Sequence, residues 1–224
     1  MHVELLYHTP DPERAVATAA RLCYAPVGAA ELMETLSQDK IEHVLDTVIS
    51  SGHLSTLEHA SYTFAIDGVS RAMTHQLVRH RLASYNQQSQ RYVTFDSEPS
   101  FVRPQSVVDA GAGQLFDEAV DAAFASYRKL VEAGVPAEDA RYLLPNACES
   151  KIVVTMNIRE LLHFFSLRCC NRAQWEIRAV ACEMLELARP TAPHIFKTAG
   201  PGCVRARCPE GKMACGHPWK RAGE

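Results

Sequence analysis

No stretch of this chain approaches the ~20 consecutive apolar residues that a membrane-spanning helix needs, so no membrane partner is expected. Met1–Ala25 carries no basic segment followed by an apolar run, the pattern of a secretory leader. Positive charge is not in surplus: 23 Lys and Arg stand against 26 Asp and Glu, a formal net charge of −3. That balance gives no global field for coating nucleic acid, and any anion must be held by a local cluster. The glycine-rich G-x-G-x-x-G fingerprint of dinucleotide folds is missing, and so is the H-E-x-x-H zinc motif. There is no internal repeat. Disorder is excluded by composition, because 47% of the 224 residues are hydrophobic and only 22% charged. Such a chain buries a core without help from disulfides. Its eight cysteines divide into Cys23, Cys148, Cys169, Cys170 and Cys182, in apolar or helical surroundings, and Cys203, Cys208 and Cys215, crowded into the tail. Without a secretory signal, free thiols or a metal site are expected rather than a disulfide framework, and the cytoplasm is the expected compartment.

Strand and helix signals alternate along the chain. Residues 1–8 have the period of a short strand. Asp11 is placed to cap a helix over Glu13–Tyr24. Asp39 is placed to open Lys40–Ser51, with Ile41, Val44, Leu45 and Val48 on one face and Gly52 as its stop. Tyr62–Val69 reads as a strand, followed by Ser70 as cap of a helix over Arg71–His80. Pro99–Gly113, rich in Pro, Ser and Gly, reads as a loop. A long helix is expected over Leu115–Ala133, ended by Gly134, and a short one over Pro136–Tyr142, stopped by Pro145. The β-branched run in Lys151–Met156 reads as a strand. Two final helices fit Ile158–Cys169 and Ala173–Ala188, with Pro190 closing the second. The pattern predicts an α+β fold: a single domain with a small, mostly antiparallel sheet packed with several helices.

Residues 79–92 read RHRLASYNQQSQRY. This run is dense in hydrogen-bond donors, buries poorly and holds no helical amphipathicity. Arginine forks bind phosphate bidentately, with Ser, Asn and Gln as neutral partners, so an oxyanion site is one reading. A solvated loop or ion-pair network is another. A nucleic-acid loop is a third, weakened by the chain's negative balance and few nearby aromatics.

The same run resembles the R-H-R-x-x-S-x-N-x-x-S-x-R signature of flavin-dependent thymidylate synthases, with Arg79, His80, Arg81, Ser84, Asn86, Ser89 and Arg91 in register. Many members carry Glu where this chain has Gln87, which keeps an acceptor, adds donors and loses the charge. The likeness extends over residues 1–196. His53–His59 is similar to the family's H-x-[ST]-x-x-E-H segment and Ala140–Pro145 to its A-R-x-x-L-P segment. Met156–Phe164 contains its N-x-R-x-L-x-[NH]-F stretch, and Leu167–Arg178 its L-R-x4-A-Q-W-E-I-R run. The resemblance implies an enzyme that methylates deoxyuridylate (dUMP) to thymidylate (dTMP). Methylenetetrahydrofolate would be the one-carbon donor and NADPH the reductant, acting through FAD, in a homotetramer. It implies that Gln76, Arg79, Gln87, Ser89, Gln90, Arg91, Arg141 and Arg168 bind the nucleotide. Ser55, Arg79, His80, Arg81, Gln87, Asn157, Arg159 and His163 would bind the flavin, and Arg168 would activate the uracil ring. Gln76 and Arg79, three apart, are expected on one helix face, as are Arg159 and His163, four apart. No nucleic-acid partner is expected.

Residues 197–224 form a separate Cys-rich tail. Cys203, Cys208, Cys215 and His217 have C-x4-C-x6-C-x-H spacing. Their ligand count suits a structural zinc, but the spacing is not a common zinc-finger pattern. Free thiols or a partner-binding extension remain open alternatives, and the site residues include no firm metal ligand.

Overall fold

The computed structural model describes residues 1–93 and 100–219. The fold is α+β, as expected, with one four-stranded antiparallel sheet. In chain order the elements begin with β1 (His2–His8), α1 (Pro12–Leu22), α2 (Ala29–Thr35) and α3 (Gln38–Ser51). A 3-10 turn (Leu54–His59), β2 (Ser61–Ser70), α4 (Arg71–Leu77) and β3 (Ala83–Gln87) follow. Next come α5 (Gln105–Asp109), α6 (Gly113–Glu132), α7 (Ala137–Ala140), β4 (Glu149–Asn157), α8 (Ile158–Arg168), α9 (Trp175–Ala188) and α10 (Pro193–Phe196). The strands are ordered β1-β2-β4-β3, so β1 and β3 are the edges. Among the described residues no helix is long and apolar enough to cross a membrane.

Local chemistry sets the helix starts. Asp11, in the left-handed region at φ 42°, accepts a hydrogen bond from the Arg14 backbone N–H, and Pro12 occupies the first turn. The side chains of Ser70 and Asn157 cap α4 and α8 by accepting from the N–H of Met73 and Glu160. Gly52 ends α3 with φ 74°, a conformation that costs a side chain dearly and glycine nothing. Three expectations are corrected. Helix α3 starts at Gln38, so Asp39 lies inside its first turn, where a carboxylate still favours the helix dipole. Helix α4 stops at Leu77, not His80, because the Tyr85 hydroxyl donates to the Leu77 carbonyl at 2.8 Å and satisfies that orphan acceptor. The segment from Pro99 to Gly113 is not all loop: α5 forms within it and α6 begins at its end, while Pro99 itself lies outside the described residues.

The described residues fall into two compact units. The first comprises Met1–His2, Ile66–Arg79 and Tyr85–Val153. Here α6 buries Val120 and Phe124 with Cys148, and Phe101 and Phe116 pack alongside. The second comprises Val3–Ala65, His80–Ser84 and Val154–Glu224. Its core centres on Tyr62, Phe164, Phe165 and Phe196, all fully buried. Glu13 on α1 is buried and accepts from the backbone N–H groups of His194 and Ile195 at 2.7 and 3.0 Å, covering donors at the start of α10. The tail from Lys197 to Trp219 belongs to this second unit. At φ 135° Gly200 holds a backbone conformation that strains any side chain, and an added Cβ would also press on the Val204 side chain at 3.3 Å.

Candidate active site

In the first unit, Arg71, His75, Gln90, Arg141, Tyr142 and Asn146 line a hollow of about 260 Å³. Among the described residues that line it none is acidic. Arg71 is held below the ordinary arginine value, first by burial and then by the charge of Arg141. Two guanidinium groups share this space without a carboxylate between them, an arrangement that an anion relieves. The Arg141 Nε–H donates to the Glu138 carbonyl at 3.1 Å, which fixes the direction of its side chain.

The remaining residues assigned to the nucleotide are spread along the segment after α4. Gln87, at the end of β3, donates through Nε2 to the hydroxyls of Thr74 at 3.0 Å and Ser150 at 2.8 Å. A glutamate there would force both hydroxyls to turn and donate. The Ser89 hydroxyl accepts from the Arg91 N–H at 3.1 Å, a local turn rather than a nucleophile with its base. Arg91 is exposed and paired with Glu138 at 2.8 Å, and a phosphate that takes Arg91 must displace that carboxylate. Gln76 is half-buried on α4 and Arg79 is exposed beyond its end, so the shared helix face expected for them is not formed. The Gln90 amide points to the Cys148 sulfur at 3.8 Å. Burial pushes the Cys148 thiol up to about 11, so it is protonated at neutral pH and is no nucleophile.

In the second unit, α8 carries most of the remaining residues. Asn157 caps it, and Arg159 and His163 are both exposed on its surface, as their spacing predicts. Arg159 pairs with Glu58 of the 3-10 turn, which also presents Ser55 to solvent. Arg81 is exposed. Arg168 ends α8, and its Nε–H donates to His80 Nε2 at 3.0 Å. The other ring nitrogen, Nδ1, lies 3.1 Å from Glu160 Oε1. His80 thus spends both nitrogens on the chain's own groups and presents neither to a ligand. Arg81, Arg159, His163 and Ser55 are all exposed, and their side chains are of the type that donates to phosphate and polar ring atoms.

Sequence reasoning missed Arg71, His75 and Glu160. Arg71 and His75 are four apart on α4, and Glu160 and Arg168 are eight apart on α8, so each pair shares a helix face that could have been read from spacing. The tail's Cys203, Cys208, Cys215 and His217 were the candidate zinc ligands. Among the described residues no three His, Cys, Asp or Glu side chains are gathered to hold a metal ion. Cys215 and His217 instead fold into a tight turn, with the His217 N–H donating to the Cys215 sulfur at 3.4 Å, and the Asn171 amide donates to the His217 carbonyl at 2.8 Å.

The α+β fold thus presents a hollow with two arginines in its wall and holds a further arginine, Arg168, against His80 Nε2. The chain matches the family described as thymidylate synthase complementing protein over residues 4–194. It is 61% identical over 218 residues to the flavin-dependent thymidylate synthase of Geobacter sulfurreducens, covering 96% of this chain and 94% of that one. The protein of the same name from Clostridium tetani is 49% identical over 96% of this chain and 92% of its own. That from Pyrococcus furiosus is 44% identical, over 94% and 90%. The chain belongs to the family of flavin-dependent thymidylate synthases.

Proposed function

We propose that the chain converts dUMP to dTMP, taking its one-carbon unit from 5,10-methylenetetrahydrofolate and its reducing equivalents from NADPH through FAD. The observation that carries this reading is the hollow of Arg71 and Arg141, beside Gln90 and with no acid among its described lining, in a chain whose relatives are named flavin-dependent thymidylate synthases. Such a site suits the phosphate of a nucleotide. Bound FAD supplies the two-electron reduction that turns the transferred methylene into a methyl group. Arg81, Arg159, His163 and Ser55, with Arg79 and Asn157, hold the flavin, and Gln87 offers its carbonyl oxygen to a ligand. Gln76, Arg79, Ser89, Arg91 and Arg141 hold the nucleotide.

The pyrimidine C5 must become nucleophilic before it accepts carbon. Arg168, permanently charged, stabilises negative charge spread over N3 and O4 of the ring; C5 then bonds to the one-carbon unit as that unit leaves its donor, and the C5 hydrogen departs as a proton to solvent. No cysteine is needed for this activation. A homotetramer and a cytoplasmic location, where these anionic substrates are found, complete the proposal.

Arg141→Ala is expected to raise KM for dUMP by about 10- to 100-fold with a smaller change in kcat, the loss of one or two charge-assisted hydrogen bonds. Steady-state kinetics with dUMP varied will show it, and an unchanged KM removes Arg141 from the nucleotide site. The activity itself is tested by chromatographic detection of dTMP from dUMP, methylenetetrahydrofolate and NADPH with FAD-loaded protein. Product that requires all three substrates supports the proposal, and no product from flavin-loaded protein contradicts it.

A further inference from the structure

His80 lies along one stripe of α8. Glu160, Phe164 and Arg168 stand at i, i+4 and i+8 on that helix, and the imidazole meets all three. It is 3.1 Å from Glu160, 3.0 Å from Arg168, and edge-on to the Phe164 ring at 4.9 Å between centroids. His80 is only 6% exposed and Glu160 only 5%. The proton positions follow from the arginine. A guanidinium has donors and no acceptor, so His80 Nε2 must accept and carry the lone pair. The single ring proton then sits on Nδ1 and is donated to the Glu160 carboxylate.

We propose that His80 and Glu160 are positioning residues for Arg168. The carboxylate fixes the imidazole tautomer, and Nε2 holds the guanidinium in the plane from which it acts on the pyrimidine. The histidine of the R-H-R run therefore serves the catalytic arginine. This role rests on the thymidylate reading for the target of Arg168; the tautomer does not.

The arrangement is sensitive to acid. A proton added at Nε2 sets one N–H against another and places two positive charges side by side. Burial is the main cause holding His80 below the ordinary histidine value of 6.5; Glu160 opposes it, and the nearby charges of Arg168 and His163 add to it. Among the described residues these three, all on α8, are charged or titratable groups that bear on the ring, and Arg159 on the same helix is turned to Glu58. The neutral form persists at neutral pH. Below 6.5 the unfolded chain takes up a proton that the folded chain resists, so stability and Arg168 alignment both decline as pH falls.

Two measurements test the pair. In full-length protein labelled with ¹⁵N-histidine, the resonance lost in His80→Gln identifies His80. At neutral pH it is expected to show a protonated Nδ1 and an unprotonated Nε2; a protonated Nε2 overturns the proposal. In FAD-loaded enzyme, Glu160→Gln keeps an acceptor for Nδ1–H but removes the charge that favours protonation. The acid limb of kcat is then expected to move to lower pH, by roughly one unit. His80→Ala is expected to lower kcat about 10- to 100-fold, and His80→Gln, whose Oε1 can replace Nε2 as acceptor, to recover part of it without an acid limb. If the limb stays in place in both polar variants and His80→Gln is no better than His80→Ala, the positioning role fails. A wild-type protein with the expected tautomer but no dTMP formation refutes the thymidylate reading, and with it the role assigned to the pair, while leaving the hydrogen-bond geometry intact. An active wild type with the wrong tautomer refutes the pair alone.

Discussion

Arg168→Ala is expected to lower kcat for dTMP formation by about 10²- to 10³-fold while FAD stays bound. The size follows from what is removed: a fixed positive charge at the place where the ring becomes anionic, in a half-buried position where solvent replaces it poorly. Flavin retention follows from the separation of tasks along α8. Arg159 in the first turn and His163 at the middle occupy its exposed surface, and Arg168 ends the helix against His80. Arg168→Lys keeps a charge but loses the Nε–H that His80 accepts, so it is expected to recover only part of the rate. The ratio of flavin to protein absorbance and the split between kcat and KM check both statements. Wild-type turnover in Arg168→Ala removes the residue from the chemistry.

Phe165→Ala is expected to destabilise the protein by about 3–5 kcal/mol. Phe165 has no exposed surface, and its ring packs 5.8 Å from that of Phe164 and 6.2 Å from that of Phe196. Truncation removes the apolar contacts and leaves a cavity that two neighbouring rings cannot close. For a chain of this size the melting temperature should fall by about 10 °C. Because Phe165 anchors the helix that carries Arg159, His163 and Arg168, flavin release should accompany the transition rather than follow it. Thermal melting followed by far-ultraviolet circular dichroism and flavin fluorescence measures both. A shift below about 2 °C would show that α8 does not depend on this cluster.

Much of the frame was legible because capping chemistry is local. Asp11, Ser70 and Asn157 each reach a backbone N–H three residues on, and Gly52 adopts the left-handed turn that its position after an apolar stripe implies. What escaped prediction lacked a buried face. Strand β3 is an edge strand whose residues are partly or fully exposed, so no hydrophobic alternation marks it. Helix α5 buries none of its residues and gives no periodic signal. Helix α2 buries only Leu32. The end of α4 depended on Tyr85, a residue beyond the helix whose hydroxyl returns to it.

The motifs named the candidate residues, but not the contacts between them. The resemblance grouped His80 with the flavin ligands, and the fold also sets its ring between Glu160 and Arg168. Arg71 lies outside the family motifs and was found only when folding brought it beside Arg141. The tail's spacing counted four potential ligands, but spacing alone does not say whether folding gathers them, and among the described residues no three such side chains are gathered.

The central claim is tested most directly by the visible absorption spectrum of the purified protein, before and after anaerobic NADPH, with and without dUMP. A flavin spectrum that bleaches with NADPH is the predicted result. A protein that stays colourless after incubation with FAD contradicts the account.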